Sequence, residues 1–299
     1  MNVNKRKTYT LKRFQKWSQY LNFVNELTDN WCFRGHSNSS WDLKSSLERS
    51  EFFRLFEEVE QSFFVEFQRG ARNFILEKDL PESIIEWLAL MQHHGAPTRL
   101  LDFTKSAYIA AYFAFEYVAV NVNSVSIWAI NYNILNDRAE RYLELRHDVE
   151  FEQKRSKFRD QDYEKTRRRL GEKDFEDQFI LNNKRCLLPI EPFKMNKRYA
   201  LQQSIFICPA NSYDTFMEQL EFLEDESSKA IVKIILPSNI RKEVLRDLQR
   251  MNITRTSMFP DLDGYSIGLK MKYNLMRTFH EEIQEQITFI KSKRHRLFP

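Results

Sequence analysis

The stretch "MQHHGAPTRLLDFTKSAYIAAYFAFE", residues 91–116, joins two apolar helical arms through a polar hinge. "EWLALM" (86–91) before the hinge and "AYIAAYFAF" (107–115) after it are apolar at nearly every position, so both read as buried elements. Gly95 and Pro97 set a turn, from which residues 98–102 emerge extended. The hinge therefore places His93, His94, Thr98, Arg99 and Asp102 between two core elements, where polar groups are costly unless partnered. They serve either as internal joints or as the lining of a site. Arg99 and Asp102 can pair with each other or with the upstream Arg34.

Outward from the hinge, "TYTLKRFQKWSQYLNFVNEL" (8–27) reads as an amphipathic helix and "NWCFRGHS" (30–37) as a short strand ended by Gly35. Residues 47–79 repeat Phe at three- and four-residue intervals, a helix-packing pattern, and Pro81 opens the next helix. "SVSIWAINY" (124–132), "QQSIFICPA" (202–210) and "KAIVKIILP" (229–237) have strand composition, with a helix over 211–226 between the last two. "NIRKEVLRDLQRM" (239–251) is helical, and "MFPDLDGYSIGLKMKY" (258–273) is a turn leading into another helix. The sum is an α+β fold, a small mixed sheet wrapped by helices, forming a single domain over 1–299. Residues 137–177 interrupt it with twelve Lys/Arg and thirteen Asp/Glu among sparse apolar residues, a charged helical insertion suited to protein contact.

With 25 Phe in 299 residues and 14% aromatic content, the chain has ample material for a core. The formal net charge of +4 is concentrated at the ends, 1–16 and 291–299. Lys5, Arg6, Lys7, Lys12, Arg13 and Lys16 meet no acid in the first segment, and "KSKRHR" lies in the last, so nucleic-acid contact is assigned to these ends. Cys32, Cys186 and Cys208 are odd in number and lack CxxC spacing, which fits a reducing compartment. The start carries no signal-peptide pattern, and the longest apolar run, 107–122, contains Glu116; the expectation is a cytoplasmic protein without a membrane segment. Six glycines cannot assemble a Rossmann or P-loop turn. Vicinal His93 and His94 point apart on a helix without HxxxH spacing, so no metal is expected.

Arg34 stands at a strand end beside Gly35 and is followed by Ser37, Asn38, Ser39 and Ser40. An arginine fork next to a residue without Cβ, with hydroxyls following, is a composition suited to clamping an anion. The plain alternative is an arginine paired with a carboxylate across the sheet.

"FRGHS" (33–37), "WDLKSSLER" (41–49), "LALMQHHGAPTRLLDFTKSAYIAAYFAF" (88–115), "RYALQQSIF" (198–206) and "MFPDLDGY" (258–265) together resemble, in order and spacing, the FRG domain family, named for its Phe/Tyr-Arg-Gly motif. One departure lies at Ser204, where the family pattern Gln-x-Gly-x-Phe has glycine. The family's layout resembles that of ADP-ribosyltransferases, which carry Arg-Gly on a first strand, a "YFA" helix, and a catalytic Glu at the start of a later strand. The resemblance implies an ADP-ribosyltransferase-like core and NAD as substrate. It further implies a toxin of a bacterial toxin–antitoxin or antiphage system that modifies nucleic acid, RNA above all, and a neutralising antitoxin or chaperone as partner.

On that resemblance, Arg34, Asp102 and Gln202 are the expected catalytic residues, and Arg34, Gly35, His94, Thr98 and Arg99 the expected NAD-binding set. Breaking the nicotinamide–ribose bond needs a clamp on the diphosphate and a negative or hydrogen-bonding group near the sugar. Gln202 occupies the position of the expected Glu and can orient a hydroxyl but cannot act as a base. Asp102, Asp261 or Asp263 can supply the carboxylate instead. An NAD glycohydrolase and a non-catalytic nucleotide- or nucleic-acid-binding module are the alternatives.

Overall fold

Among the described residues, seven strands form one sheet in the order β1-β7-β4-β2-β3-β6-β5. The strands are β1 (Thr10–Arg13), β2 (Trp31–His36), β3 (Leu101–Thr104), β4 (Ser124–Asn131), β5 (Leu187–Ile190), β6 (Ser204–Pro209) and β7 (Ile231–Pro237). All neighbours are antiparallel except β1 and β7, so the sheet is mixed and the fold is α+β. The computed structural model describes residues 9–27, 30–55, 59–142, 185–191, 197–221, 230–270 and 273. The chain divides into two compact units, Met1–Asp247 and Leu248–Pro299. The first holds the sheet. In the second, a short helix, Arg255–Met258, and the helix at 262–270 pack tightly: a Cβ on Gly264 would fall on the backbone of Phe259, and one on Gly268 on Thr256.

Helices of the first unit are α1 (Trp17–Asn25), α2 (Val59–Ala71), α3 (Ile84–His93), α4 (Ala107–Glu116), α5 (Tyr132–Tyr142), α6 (Lys197–Leu201) and α7 (Phe216–Glu221). Strand alternation separates two cores. On one face Phe206 and Cys208 of β6 join Trp87, Leu88 and Met91 of α3 and Phe64 of α2. On the other, Ile205 and Ile207 join Cys32, Leu101, Phe103 and Trp128, closed by Phe216 and Leu220 of α7. This is the period-two signature of a sheet covered on both sides.

The hinge ends α3 in a Schellman motif. His94 is the C-cap, and Gly95 takes φ +84, a left-handed value that glycine adopts without strain. The Gly95 N–H donates to Gln92 O at 3.1 Å and the Ala96 N–H to Met91 O at 2.9 Å, satisfying the last carbonyls of the helix. Ser106 then N-caps α4 by accepting from the Ile109 N–H. At its far end α4 is closed by Arg241, whose guanidinium donates to Phe115 O at 2.7 Å and Glu116 O at 2.8 Å.

Three points depart from the sequence expectations. Residues 8–27 are not one helix: Thr10–Arg13 form the parallel edge strand β1, and the helix starts at Trp17. The basic residues Lys12 and Arg13 therefore sit on a sheet edge, where charge guards against further strand pairing. In the stretch 47–79, α2 occupies only Val59–Ala71, and 47–55 run through successive turns. β5, "LLPI", was not anticipated. Of the charged insertion, 137–142 belong to α5, whereas 143–177 lie outside the described residues, as do 1–8 and 291–299.

Gly35 carries the tightest constraint. A Cβ there would fall on the carbonyl oxygen of Ala110 and 2.6 Å from the Ala114 nitrogen, both backbone atoms of α4. The glycine exists so that α4 can lie on β2, and neither backbone can retreat without disturbing the core. Gly35→Ala is expected to cost about 3 kcal/mol or more. Urea unfolding checks this; a midpoint equal to wild type at equal m-value would contradict the packing.

Candidate functional site

β2 pairs with β4 at six positions but with β3 at one, Phe33 opposite Thr104. Beyond that pair the Arg34 side chain bridges the two strands. Its Nη1 donates to the Asp102 carbonyl at 2.6 Å and its Nε to His36 Nε2 at 3.2 Å. These are its hydrogen bonds; no carboxylate forms an ion pair with Arg34 among the described residues, and Nη2 makes no hydrogen bond to them. The side chain is half-buried. An arginine this enclosed without a counter-ion keeps fork donors for a ligand.

His36 is the hub of the surroundings. Burial pushes its imidazole down to about 3, and the nearby Arg34, Lys233 and Arg49 cations push the same way. The ring is therefore neutral at ordinary pH, with Nε2 as the acceptor that Arg34 requires. In the sheet, Arg34, Trp128 and Lys233 lie side by side in one cross-strand row, and His36 lies opposite Ser126 in the next. Lys233 Nζ sits 4.8 Å from the Trp128 ring centroid and donates to Trp41 O at 3.2 Å. Ser126 is fully buried, and its hydroxyl has no hydrogen-bond partner among the described residues. The result is a cluster of cations about one neutral imidazole, bordered by an unsatisfied hydroxyl.

The hinge residues do other work. Arg99 is 3% exposed, and its Nε meets Glu60 Oε2 at 2.5 Å, while its backbone N–H donates to Glu60 Oε1 at 2.8 Å. Its Nη1 donates to Ala210 O at 3.0 Å. Thr98 is fully buried; it donates through Oγ1 to Gln92 Oε1 at 2.5 Å and its N–H donates to Ser46 Oγ at 2.9 Å. The Thr98 carbonyl accepts from the Leu47 N–H at 3.0 Å. Both residues are joints tying α2, α3 and the 45–47 turn together, which corrects their assignment to a diphosphate clamp. Gly35 is likewise corrected: the space beside it belongs to α4 and not to a ligand.

Asp102 is exposed, on the face of β3 opposite Leu101 and Phe103, and its charge acts on both Arg34 and Tyr199. Tyr199 donates to Ala89 O at 2.7 Å, and its ring lies 6.1 Å from that of His93, which is 4.9 Å from that of the exposed His94. Gln202 is 7% exposed, in the turn between α6 and β6, with its N–H on Arg198 O. The left-handed φ of this turn, +48, falls on Gln203 and not on Ser204 where the family pattern has glycine. Asp261 and Asp263 lie in the second unit. Among the described residues no cluster of three or more His, Cys, Asp or Glu is placed to hold a metal, and no helix is long and apolar enough to cross a membrane. Lys233, Ser126 and Arg49 escaped the sequence reading because the first two join Arg34 only through sheet pairing.

Residues 29–121 match the family model of the FRG domain. The match takes in Arg34, His36, Arg49, the hinge and Asp102, and ends before β4. No curated protein and no solved structure is significantly similar to the chain.

Two outcomes are expected. Arg99→Ala strands a buried carboxylate and should cost about 3–5 kcal/mol, whereas Arg34→Ala should cost about 1 kcal/mol. Chemical denaturation separates them, and equal losses would give both arginines a structural role. His36 binds its proton near 6.5 in the unfolded chain but near 3 in the folded one. The stability it contributes is complete above pH 6.5 and falls as pH drops from 6.5 towards 3, by on the order of a few kcal/mol. His36→Gln, which keeps an acceptor for Arg34, should flatten that acid limb; an unchanged slope would show that His36 is not the group responsible.

Proposed function

We propose that this FRG-domain chain binds NAD with its diphosphate on Arg34 and transfers ADP-ribose to nucleic acid, RNA first, as a toxin of bacterial antiphage defence. The observation that carries the reading is the half-buried Arg34 guanidinium, which forms no ion pair among the described residues and has the Arg49 cation nearby, although the Asp102 charge also acts on it. An enclosed cation without a counter-ion is a cost that an anionic ligand relieves.

In this reading the bond between nicotinamide nitrogen and ribose C1′ breaks, and the electron pair leaves with nicotinamide. Positive charge grows on the ribose, and an acceptor hydroxyl or amine of the nucleic acid forms the new bond to C1′. Asp102, an exposed carboxylate whose charge acts on Arg34, is the group assigned to favour that charge and to take the acceptor's proton. A second reading, a nucleotide-binding module without turnover, is favoured by Gln202, a buried amide where the transferases keep a carboxylate.

Incubating the chain with NAD labelled in the adenylate moiety, with and without RNA, tests both. Label is expected on RNA, and Arg34→Ala should lower transfer roughly ten- to a hundredfold, the worth of a charge-assisted phosphate contact. Free ADP-ribose without labelled RNA would make the chain a glycohydrolase. Binding without NAD consumption would leave the module.

A further inference from the structure

We propose that the segment 41–49 binds single-stranded nucleic acid beside Arg34, a nucleobase stacking on the Trp41 indole and a neighbouring phosphate resting on Arg49. The proposal rests on the nucleic-acid acceptor of the reading above and names the form in which that acceptor is held.

The chain has five tryptophans. Trp17, Trp31, Trp87 and Trp128 are buried, but Trp41 is 52% exposed. An indole left in water contributes little to a core, yet it offers a flat face on which any base can stack. Its backbone is fixed. The Trp41 N–H donates to Asn38 O at 3.2 Å, and Asn38 Oδ1 accepts from Ser40 N at 2.9 Å and Ser40 Oγ at 2.8 Å. Ser39 ties the turn to β4 through Ser124 O at 2.9 Å and Ser124 Oγ at 2.6 Å, and Lys233 holds the Trp41 carbonyl. A platform anchored at this many points loses little freedom when a ligand binds.

The indole also stands at the cation cluster, its ring centroid 6.2 Å from that of His36, edge to face. Along 41–49, Leu43, Ser45 and Leu47 turn inward while Trp41, Lys44 and Arg49 are exposed. Arg49 holds the Lys44 carbonyl through Nη1 at 2.5 Å and forms no ion pair among the described residues. Arg49 is close enough to Arg34 that its charge bears on the Arg34 guanidinium, which an intervening phosphate would offset. The exposed Asp42 stands between Trp41 and Lys44, and Glu48 is turned to the Ser45 and Phe216 N–H groups, so the outward face offers one aromatic plane with Lys44 and Arg49 as its cations, the two kinds of group a single-strand site combines. A duplex keeps its base faces stacked and paired and cannot offer one to Trp41.

The test uses the full chain, a fluorescein-labelled twelve-nucleotide single-stranded RNA of mixed sequence, and the matching duplex, read by anisotropy. The single strand is expected to bind tighter than the duplex and to quench tryptophan emission. Trp41→Ala should weaken it about five- to a hundredfold at an unchanged thermal midpoint, and Trp41→Phe should recover most of the loss. Arg49→Gln should reduce the slope of log affinity against log salt by about 0.7. Equal affinity for strand and duplex, or affinity unmoved by Trp41→Ala and Arg49→Gln, would overturn the proposal. NAD consumption measured without RNA separates the two readings. Turnover with Trp41-insensitive RNA binding defeats this inference alone, and Trp41-dependent binding without turnover defeats the transferase alone.

Discussion

The buried pair of Glu60 and Arg99 decides what the rest of the first unit can do. Between side chains 1% and 4% exposed, it pins α2 to the hinge and, through Ala210, to the end of β6. Ion pairs at such depth are held at high desolvation cost and resist loss of either partner. Arg99 is spent on Glu60 and Ala210, and Thr98 on Gln92 and Ser46, so these hydrogen bonds serve the fold. Arg34 faces the opposite situation. Its hydrogen bonds go only to a carbonyl and an imidazole, and the charges that act on it are the Asp102 carboxylate and the Arg49 cation. The chain thus holds two enclosed arginines of opposite type, one neutralised internally and one still to be neutralised.

β2 serves both sides of the sheet at once. Gly35 gives α4 its seat on one face, and Arg34 and His36 project from the other towards Trp128, Lys233 and the 37–41 turn. Close helix packing on one side therefore makes the backbone beneath the cation cluster rigid, which favours recognition of a fixed anion over a charge that merely attracts. The neutral state of His36 belongs to the same design. A charged imidazole there would add a further cation to the three that already depress it.

Much of this was legible in the sequence where the signal is local. β4 follows β-branched alternation, β6 and β7 follow from short apolar runs of strand composition, and α3, the turn at Gly95 and α4 follow from the apolar arms and the glycine between them. β1 was hidden because four residues containing Lys and Arg read as part of the helix that follows. β5 was hidden because "LLPI" is short and carries a proline. The roles of Arg99 and Gly35 were misread for a different reason. The partner of Arg99 lies 39 residues away, and the atoms that fill the space beside Gly35 belong to a helix 75 residues on; only tertiary packing reveals either. Arg34 itself stood out, but it lies inside β2, which continues through Gly35 to His36 and does not end at the glycine, and Lys233 and Ser126 join its surroundings through cross-strand register alone.

The most direct measurement is a crystal structure of the chain soaked with ADP-ribose. The account predicts the diphosphate within hydrogen-bonding distance of Arg34, with the Glu60–Arg99 pair intact and Thr98 still on Gln92. A diphosphate bound at Arg99 with Glu60 displaced, or lodged in a place that Arg34 does not reach, would contradict it.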